Sequence, residues 1–350
     1  MTLVCPLTCD DDGHVTEVKN VAALPVVDLR EDSSDLRKRL RAAAHDVGFF
    51  YLVGHGVPGQ LTQRMLEAAR RFFALPQADK DAIAMVHSPH FRGYTRLGGE
   101  LTRGKVDWRE QIDIGPERTP IGGPDRPDYL WLQGPNQWPA ALPELPGIVA
   151  EWDAALSGVA RALLARWATA LGSPPEVFDA AFAGTPATLI KIVRYPAHSI
   201  AQGVGAHRDA GVLTLLLAEP GSQGLQVRRT DGWIDVPALD GAFIVNIGEL
   251  LEVATGGYLR ATEHRVNLRW LATERISVPY FFNPRLDAQI PVLSLPNELA
   301  AQDRRHADPS DPIFSVYGRN AWKSRLRAHP DVAEAHGYSP GIAEGAAPGE

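Results

Sequence analysis

Hydrophobic positions follow two different periods along the chain. Between residues 142 and 171 they recur at helical spacing and form one apolar stripe, which predicts a long helix that ends at Gly172. After residue 187, short apolar runs alternate with turn residues, and Asp231-Gly232 is typical of a hairpin. Because short strands at this density are typical of a jelly roll, we expect a β core backed by a helix.

The amino-terminal part mixes strand and helix patterns. Apolar runs at residues 25–29 and 47–53 predict strands. Ser33 or Ser34 is the predicted N-cap of a helix through His45, and a second helix is predicted from Pro58 or Gly59 to Leu75. Residues 87–140 contain many Gly and Pro residues and little periodicity, so we expect long loops, which are commonly binding loops. The predicted fold is mixed α and β: a double-stranded β-helix (jelly-roll, cupin-like) core with flanking helices and an α/β amino-terminal region.

These patterns predict one compact unit with two unstructured ends. Residues 24–140 form the amino-terminal region with substrate loops, and residues 141–335 form the helix-backed core. We expect a mobile lead over residues 1–23. The last segment, residues 336–350, is rich in Gly, Ala and Glu and is predicted to be disordered.

Charge and composition exclude several classes of partner. A net charge of −7 with dispersed Arg and Lys gives no electrostatic footprint for nucleic acid or for a membrane surface. The sequence shows neither a signal-peptide pattern nor 18 consecutive apolar residues, so we expect a cytoplasmic protein. The sequence leaves the oligomeric state open.

A metal-binding pattern stands out in the β-rich half. His207 and Asp209 are two residues apart, so in an extended segment both side chains point to one side. His264 offers a third ligand. Two histidines and one carboxylate suit non-haem Fe(II) with positions left open for other ligands. The tripeptide alone is weak evidence, because a lone histidine is more often a core or solvated residue.

A carboxylate-binding pattern follows the third metal ligand. Arg275 and Ser277 share one face of a predicted strand whose other residues are mostly apolar. A guanidinium group beside a hydroxyl group suits a carboxylate ligand. Phe281 and Phe282 alternate along the same strand, so only one of them can face a cavity. The two patterns together predict a small organic acid bound beside iron.

Together these motifs resemble the isopenicillin N synthase-like branch of the Fe(II)/2-oxoglutarate-dependent oxygenases. The resemblance covers roughly residues 24–335 and rests on segments 24–29, 47–58, 205–209, 224–227, 245–249, 264–266 and 275–278. It implies that His207, Asp209 and His264 hold Fe(II) and that 2-oxoglutarate chelates the iron with its distal carboxylate on Arg275 and Ser277. It also implies that a small-molecule substrate, a secondary or amino-acid-derived metabolite, is oxidised with consumption of O2 and release of succinate and CO2.

Further roles follow from the same resemblance. Lys191 and Tyr195 are expected near the cosubstrate. The substrate residues are expected to be Arg92, Tyr94, Glu100 and Phe281, with surface charge as the plain alternative for Arg92 and Glu100. Hydroxylation, desaturation and cyclisation share this iron centre, so the sequence does not select among them.

Other functions are compatible with parts of the pattern. A synthase-type oxidase could use the Arg275 clamp for its own substrate and not need 2-oxoglutarate. An ethylene-forming enzyme that uses 2-oxoglutarate and arginine is a second alternative, for which Glu100, Thr102, Asp107 and Arg327 stand at suitable positions. An inactive binding module and a zinc hydrolase are remote alternatives, because every expected ligand and clamp position is filled.

Overall fold

The computed structural model describes residues 8–9, 15–16, 24–31, 33–123, 126–197, 201–269, 271–300 and 311–338. Within the predicted lead, two short antiparallel strands pair, β1 (Thr8–Cys9) and β2 (Val15–Thr16). Most of the predicted mobile lead and of the predicted disordered tail lies outside the described residues, and both stay predictions.

Fourteen further strands are described between residues 26 and 282, most of them in two sheets. Their bounds are β3 (Val26–Asp28), β4 (Phe49–Val53), β5 (Gly93–Thr95), β6 (Glu100–Thr102), β7 (Lys105–Asp107), β8 (Glu110–Ile114), β9 (Leu189–Tyr195), β10 (Gln202–His207), β11 (Leu213–Ala218), β12 (Leu225–Arg229), β13 (Gly232–Asp235), β14 (Phe243–Ile247), β15 (His264–Asn267) and β16 (Arg275–Phe282). The predicted hairpin at Asp231-Gly232 is confirmed as β12–β13, with Gly232 at φ +134°.

The two sheets face each other and form the jelly-roll core. The larger sheet has the order β3-β4-β14-β11-β16-β9-β8-β5, and the smaller one has the order β10-β15-β12-β13. Two apolar clusters join them. One packs Phe49 and Ile244 of the larger sheet against Val227, and the other packs Val193 against Val204 and Val266. The space between these clusters is where the two sheets leave room for a site.

The structure describes nine α-helices, of which the first, second and fourth pack against the larger sheet. Their bounds are α1 (Ser34–Ala42), α2 (Gly59–Phe73), α3 (Gln77–Asp81), α4 (Leu145–Ala170), α5 (Asp179–Phe182), α6 (Glu249–Ala254), α7 (Asn297–Ala300), α8 (Tyr317–Ala328) and α9 (Pro330–Ala335). The predicted cap of α1 is confirmed, because the Ser33 hydroxyl accepts a hydrogen bond from the Leu36 N–H.

The long predicted helix is confirmed as α4. Its predicted stripe is buried and packs against α1, α2 and β16. Trp152, Leu156, Leu163 and Trp167 are fully covered, so the tryptophans belong to the core. The helix gives way to Gly172 at φ +81°, a left-handed conformation that glycine adopts without strain.

The prediction of long loops over residues 87–140 is wrong in part. This segment contains strands β5 to β8, and β8 and β5 extend the larger sheet beyond β9. The sequence of β8 does not alternate between polar and apolar residues as a half-buried strand does, because both faces carry a charged side chain. Glu110 lies on one face and Asp113 on the other. No helix in the described part of the chain is both long and apolar enough to cross a membrane.

Candidate metal centre and cosubstrate pocket

The three predicted metal ligands converge at one end of the smaller sheet. β10 ends at His207 and β15 begins at His264, and the antiparallel register places these two residues opposite each other. Asp209 lies two residues beyond the strand, in the loop before β11, so the loop rather than strand alternation directs its carboxylate. Among the described residues, these three form the one cluster of His, Cys, Asp or Glu side chains with metal-ligand spacing.

The ligand atoms face one point. Asp209 Oδ1 lies 3.6 Å from His207 Nε2 and 3.7 Å from His264 Nε2. His207 Nδ1 lies 2.8 Å from the Gly205 carbonyl oxygen, and His264 Nδ1 lies 3.1 Å from that of Thr262. Because a carbonyl only accepts, each Nδ1 donates, and each Nε2 is left with a lone pair for a metal. The donor set therefore fits a divalent ion such as Fe(II).

The charge states also suit metal binding. Burial and the neighbouring His207 lower the pKa of His264 to about 4, so this imidazole is neutral at pH 7. Burial raises the pKa of Asp209, but His264, His207 and Thr214 outweigh burial and hold it well below its ordinary value. For His207, burial lowers the pKa, and the contact with Asp209 reverses this shift. Asp209 therefore supplies a negative charge to the site.

Two buried donors orient the Asp209 carboxylate. Thr214 Oγ1 donates to Asp209 Oδ2 at 2.5 Å, and Asn246 Nδ2 donates to the same oxygen at 2.8 Å. Oδ1 is thereby the oxygen directed at the histidines. Sequence reasoning missed both residues, although Asn246 is a polar residue within an apolar strand, which is the signal that could have found it.

Replacing Thr214 with valine should weaken metal binding without unfolding the protein. Valine keeps the shape of the side chain and removes the hydrogen bond to Asp209 Oδ2. Loss of such a supporting bond lowers metal affinity by roughly 10- to 100-fold. Titration of apoprotein with Mn(II) measures the change, and Thr62→Val on the surface of α2 is the control. An unchanged affinity would show that Thr214 does not orient the ligand.

Tight backbone packing fixes the loop that carries Asp209. The N–H groups of Gly248 and Glu249 donate to the carbonyls of Val212 and Asp209. A Cβ atom on Gly248 would lie 2.1 Å from the Gly211 carbonyl oxygen, so this position has no room for a side chain. Gly248, which joins the strand β14 to the helix α6, therefore packs directly against the loop that carries Asp209 and fixes its backbone.

Gly248→Ala should destabilise the fold and disturb the metal site together. Overpacking of this kind costs about 1–3 kcal/mol, and the backbone that must move carries Asp209. Urea unfolding and Mn(II) titration measure the two effects. Gly59→Ala is the matched control, since a Cβ atom added at Gly59 would meet nothing within 4 Å. Equal stability of the two variants would contradict this explanation.

The predicted carboxylate clamp lies on the inner face of the larger sheet. Arg275 is 2% exposed, and its Nη1 donates to Ser277 Oγ at 3.0 Å. The register places Tyr195 opposite Arg275, and the Arg275 guanidinium lies 5.0 Å from the centre of the Tyr195 ring. Among the described residues, no carboxylate pairs with Arg275. A buried guanidinium group beside a hydroxyl group is therefore suited to bind an anion.

Lys191 is not part of this clamp. It lies on the same face of β9 as Tyr195 but four residues away, which is about 13 Å along a strand. Its Nζ lies 2.7 Å from Glu100 Oε1 and 3.5 Å from Asp113 Oδ2. The expectation that Lys191 contacts the cosubstrate is corrected: its charge is paired with two acidic residues at a distance from Arg275.

The prediction that Tyr94 contacts substrate is wrong. Tyr94 is opposite Ile112 on the helix-covered face of the larger sheet, packs against Phe72 of α2 and donates to Glu110 Oε2 at 2.5 Å. The metal ligands lie on the other side of the sheet. Phe281 does face inward, because its partner in the register is Thr214, whereas Phe282 stacks on Phe182 in the core.

Glu100 belongs to a buried charge network that extends the inner face beyond Lys191. Glu100 Oε2 lies 2.8 Å from Arg109 Nη2, and Asp113 Oδ2 lies 2.5 Å from Arg325 Nη1. Burial raises the pKa of Glu100, but Arg109 and Lys191 outweigh burial, and the carboxyl stays ionised. Sequence reasoning missed Arg109 and Arg325, because only the tertiary fold shows that they are buried.

Asp107 connects this network to the metal site. Its Oδ1 accepts hydrogen bonds from the Gly205 N–H at 3.1 Å and from Gln202 Nε2 at 3.0 Å, and its Oδ2 accepts one from Thr102. Gly205 is the residue whose carbonyl holds the His207 ring. Asp107 is fully buried and so braces the strand that carries the first metal ligand.

Arg92 lies at the far end of the same face, near Arg325. Arg92 is 7% exposed, and its guanidinium group lies against Gly115 and donates from Nη2 to the Leu132 carbonyl at 3.0 Å. Burial and the neighbouring Arg325 lower the pKa of Arg92 to about 10, so it is charged at neutral pH. Arg92 is therefore a buried cation and not a surface charge.

A jelly roll, a cluster of two histidines and one carboxylate, and a buried guanidinium group beside a hydroxyl group are the features expected of a mononuclear non-haem iron oxygenase. Two family models match the chain: the amino-terminal region of non-haem dioxygenases in morphine synthesis over residues 24–141, and the 2OG-Fe(II) oxygenase superfamily over residues 187–284. The chain belongs to the Fe(II)/2-oxoglutarate-dependent oxygenases, and Fe(II), 2-oxoglutarate and O2 are its cofactors.

Individual relatives agree with this assignment. The chain is 34% identical to the 2-oxoglutarate-dependent dioxygenase frbJ of Dothideomycetidae sp. (strain 11243), over 92% of this chain and 94% of the relative. It is 35% identical to the homoarginine-6-hydroxylase 2-ODD-C23 of Glycine max, over 72% of this chain and 78% of the relative. The solved structure of JOX2 in complex with 2OG, Fe and JA shares the fold, with a TM-score of 0.68 and 26% identity over 90% of this chain and 89% of that one.

Proposed function

We propose that this dioxygenase uses His207, Asp209 and His264 to hold Fe(II) and uses Arg275 with Ser277 to bind the distal carboxylate of 2-oxoglutarate. The observation that carries the proposal is the pairing of the two sites: three ligand atoms that face one point, and a buried guanidinium group without a carboxylate partner among the described residues. The reaction class is oxidation of a small molecule with release of succinate and CO2.

Each residue has a distinct part in this proposal. Bound Fe(II) would activate O2 at the expense of 2-oxoglutarate and so supply the oxidising chemistry. Arg275 and Ser277 orient the cosubstrate, and Tyr195 holds the Arg275 guanidinium from the opposite strand. Apolar packing around the clamp by Val193 and Leu271 excludes water from this end of the pocket.

The primary substrate would lie between the metal ligands and the inner face of β8 and β9. Phe281 contributes an apolar wall there, and the Glu100 network contributes a polar one. The enzyme is of the isopenicillin N synthase-like type. We also propose that the enzyme is cytoplasmic. The sequence has only two cysteines in 350 residues, which is compatible with a reducing compartment.

Coupled measurement of 2-oxoglutarate loss and succinate formation tests this function. The purified protein, supplied with Fe(II) and air, should convert 2-oxoglutarate to succinate slowly on its own and faster with a substrate. His264→Ala should lose both rates, whereas His336→Ala, outside the site, should keep them. Succinate formation that continues in His264→Ala would contradict the assignment of the centre.

A further inference from the structure

Four arginines are buried among the residues that the structure describes: Arg92, Arg109, Arg275 and Arg325. Two of them have carboxylate partners, Glu100 for Arg109 and Asp113 for Arg325. The other two, Arg92 and Arg275, pair with no carboxylate of the described chain. A buried charge without a partner is costly, and such charges are kept where a ligand completes the pair. Arg275 is explained by the cosubstrate, and Arg92 is not.

The hydrogen bonds of Arg92 are also incomplete. Nη2 donates to the Leu132 carbonyl, but Nε has no partner within the described chain. Burial lowers the pKa of this guanidinium to about 10, which leaves it charged at neutral pH. Glu117 favours the charged form of Arg92 and so raises its pKa slightly. The Glu117 carboxylate itself accepts hydrogen bonds from Asn136 and Trp138.

Tyr317 is a buried neighbour of Arg92. Tyr317, at the start of α8, is buried, and both Arg92 and Arg325 act on its phenol electrostatically. Its hydroxyl forms no hydrogen bond with other described residues. The Tyr317 N–H donates to the Ala288 carbonyl, and the Gly318 N–H donates to that of Leu286, which lines the same pocket as Arg92. Tyr317 therefore lies beside the pocket of Arg92.

Space is available beside Arg92. A pocket of about 220 Å³ is lined by Arg92, Arg118 and Arg285, together with Leu130 and Leu132. Arg285 is paired with Asp287 at 3.0 Å, so Arg92 and Arg118 supply the positive charge that is left. The volume and the charge suit an anionic group attached to a small organic molecule.

We propose that the primary substrate carries an anionic group, a carboxylate or a group of similar charge, which binds Arg92 beside Tyr317 and Arg325. This inference rests on the proposed function, because it assumes that the metal centre oxidises the other end of the same molecule. A guanidinium substrate held by the acidic residues of this wall is disfavoured. Glu100, Asp107 and Asp113 are each already paired with a cation of the chain.

A thermal-shift titration with a matched acid and amide tests the proposal. The full chain is first loaded with Mn(II) and 2-oxoglutarate, which fills Arg275 and prevents turnover. Propionate and propionamide are then added at matched ionic strength. Propionate should raise the Tm by binding the folded protein, and propionamide should not. An equal response to the two probes, or no response to propionate, would overturn the anion site.

Variants locate the response. Arg92→Met should fold with an unchanged or higher Tm, because it removes an unpaired buried charge, and should lose the propionate shift. Arg96→Met removes the same charge from the surface, where the Arg96 side chain is 67% exposed, and should keep the shift. A propionate shift that persists in Arg92→Met, or a large fall in its Tm, would contradict the proposal.

Tyr317→Phe provides a second variant that removes only one hydroxyl group. It should reduce the propionate shift, and an unchanged shift would overturn the placement of the anion beside Tyr317. The response to Mn(II) and 2-oxoglutarate distinguishes a failure of the proposed function from a failure of the anion site. If Mn(II) and 2-oxoglutarate fail to raise the Tm of the wild-type chain, the proposed function fails; if they succeed and propionate fails, only this inference does.

Discussion

Asp209→Ala should abolish oxidation and remove tight metal binding. The variant loses the one negatively charged ligand of the centre and leaves two neutral imidazoles, which hold a divalent ion poorly at this geometry. It also leaves Thr214 and Asn246 without the oxygen to which they donate. We expect no detectable succinate formation above the metal-free background, measured by mass spectrometry of 2-oxoglutarate turnover.

A surface carboxylate provides the control for this prediction. Asp231→Ala removes the same charge from the exposed turn between β12 and β13 and should keep full turnover. The folded state of both variants can be compared by circular dichroism. Full turnover with retained iron in Asp209→Ala would disprove the ligand assignment, since no other described carboxylate lies beside the two histidines.

Arg275→Ala should weaken 2-oxoglutarate binding while the metal remains bound. Hydrogen bonds to charged groups contribute about 1.5–3 kcal/mol, so a clamp of this kind predicts a loss of about 2–3 kcal/mol, roughly 30- to 150-fold in affinity. The Kd of 2-oxoglutarate for the Mn(II)-loaded protein measures the change. Arg228→Ala, an exposed residue of β12, serves as the control.

The same variant distinguishes two uses of the clamp. When a primary substrate is in hand, its apparent KM should change far less than that of 2-oxoglutarate in Arg275→Ala. An equal rise in both constants would indicate that the clamp holds the primary substrate, as in a synthase-type oxidase. An unchanged 2-oxoglutarate affinity would remove Arg275 from the site altogether.

The sequence predicted the parts of this site that local spacing encodes. Arg275 and Ser277 are recognisable from their spacing of two residues, because strand alternation sets their direction. The same spacing predicted His207 and Asp209 as a pair, although the loop after β10 directs the Asp209 carboxylate. The helix α4 was predictable for a similar reason, since its apolar stripe is continuous along the whole helix. The hairpin at Asp231-Gly232 follows from turn chemistry alone.

The parts that depend on tertiary pairing were not predictable. The loop prediction fails at β8 because Glu110 and Asp113 put charges on both faces of this strand. Each charge is compensated by a cation distant in sequence, Lys80 for Glu110 and Arg325 for Asp113. The expectation that Tyr94 contacts substrate fails for a similar reason, because the direction of Tyr94 depends on the register between β5 and β8. Asp107 supports the strand of His207 through the Gly205 N–H, which is 98 residues away in sequence, a contact that no local pattern shows.

The central claim is that Fe(II) and 2-oxoglutarate bind together at His207, Asp209, His264 and Arg275. The most direct test is an anaerobic titration of the apoprotein with Fe(II) and then 2-oxoglutarate, followed by visible spectroscopy for the charge-transfer band of the chelate. We predict a band that requires both components, is lost in His207→Ala, and needs much more 2-oxoglutarate in Arg275→Ala. Iron binding without any band, or a band that survives in His207→Ala, would contradict the claim.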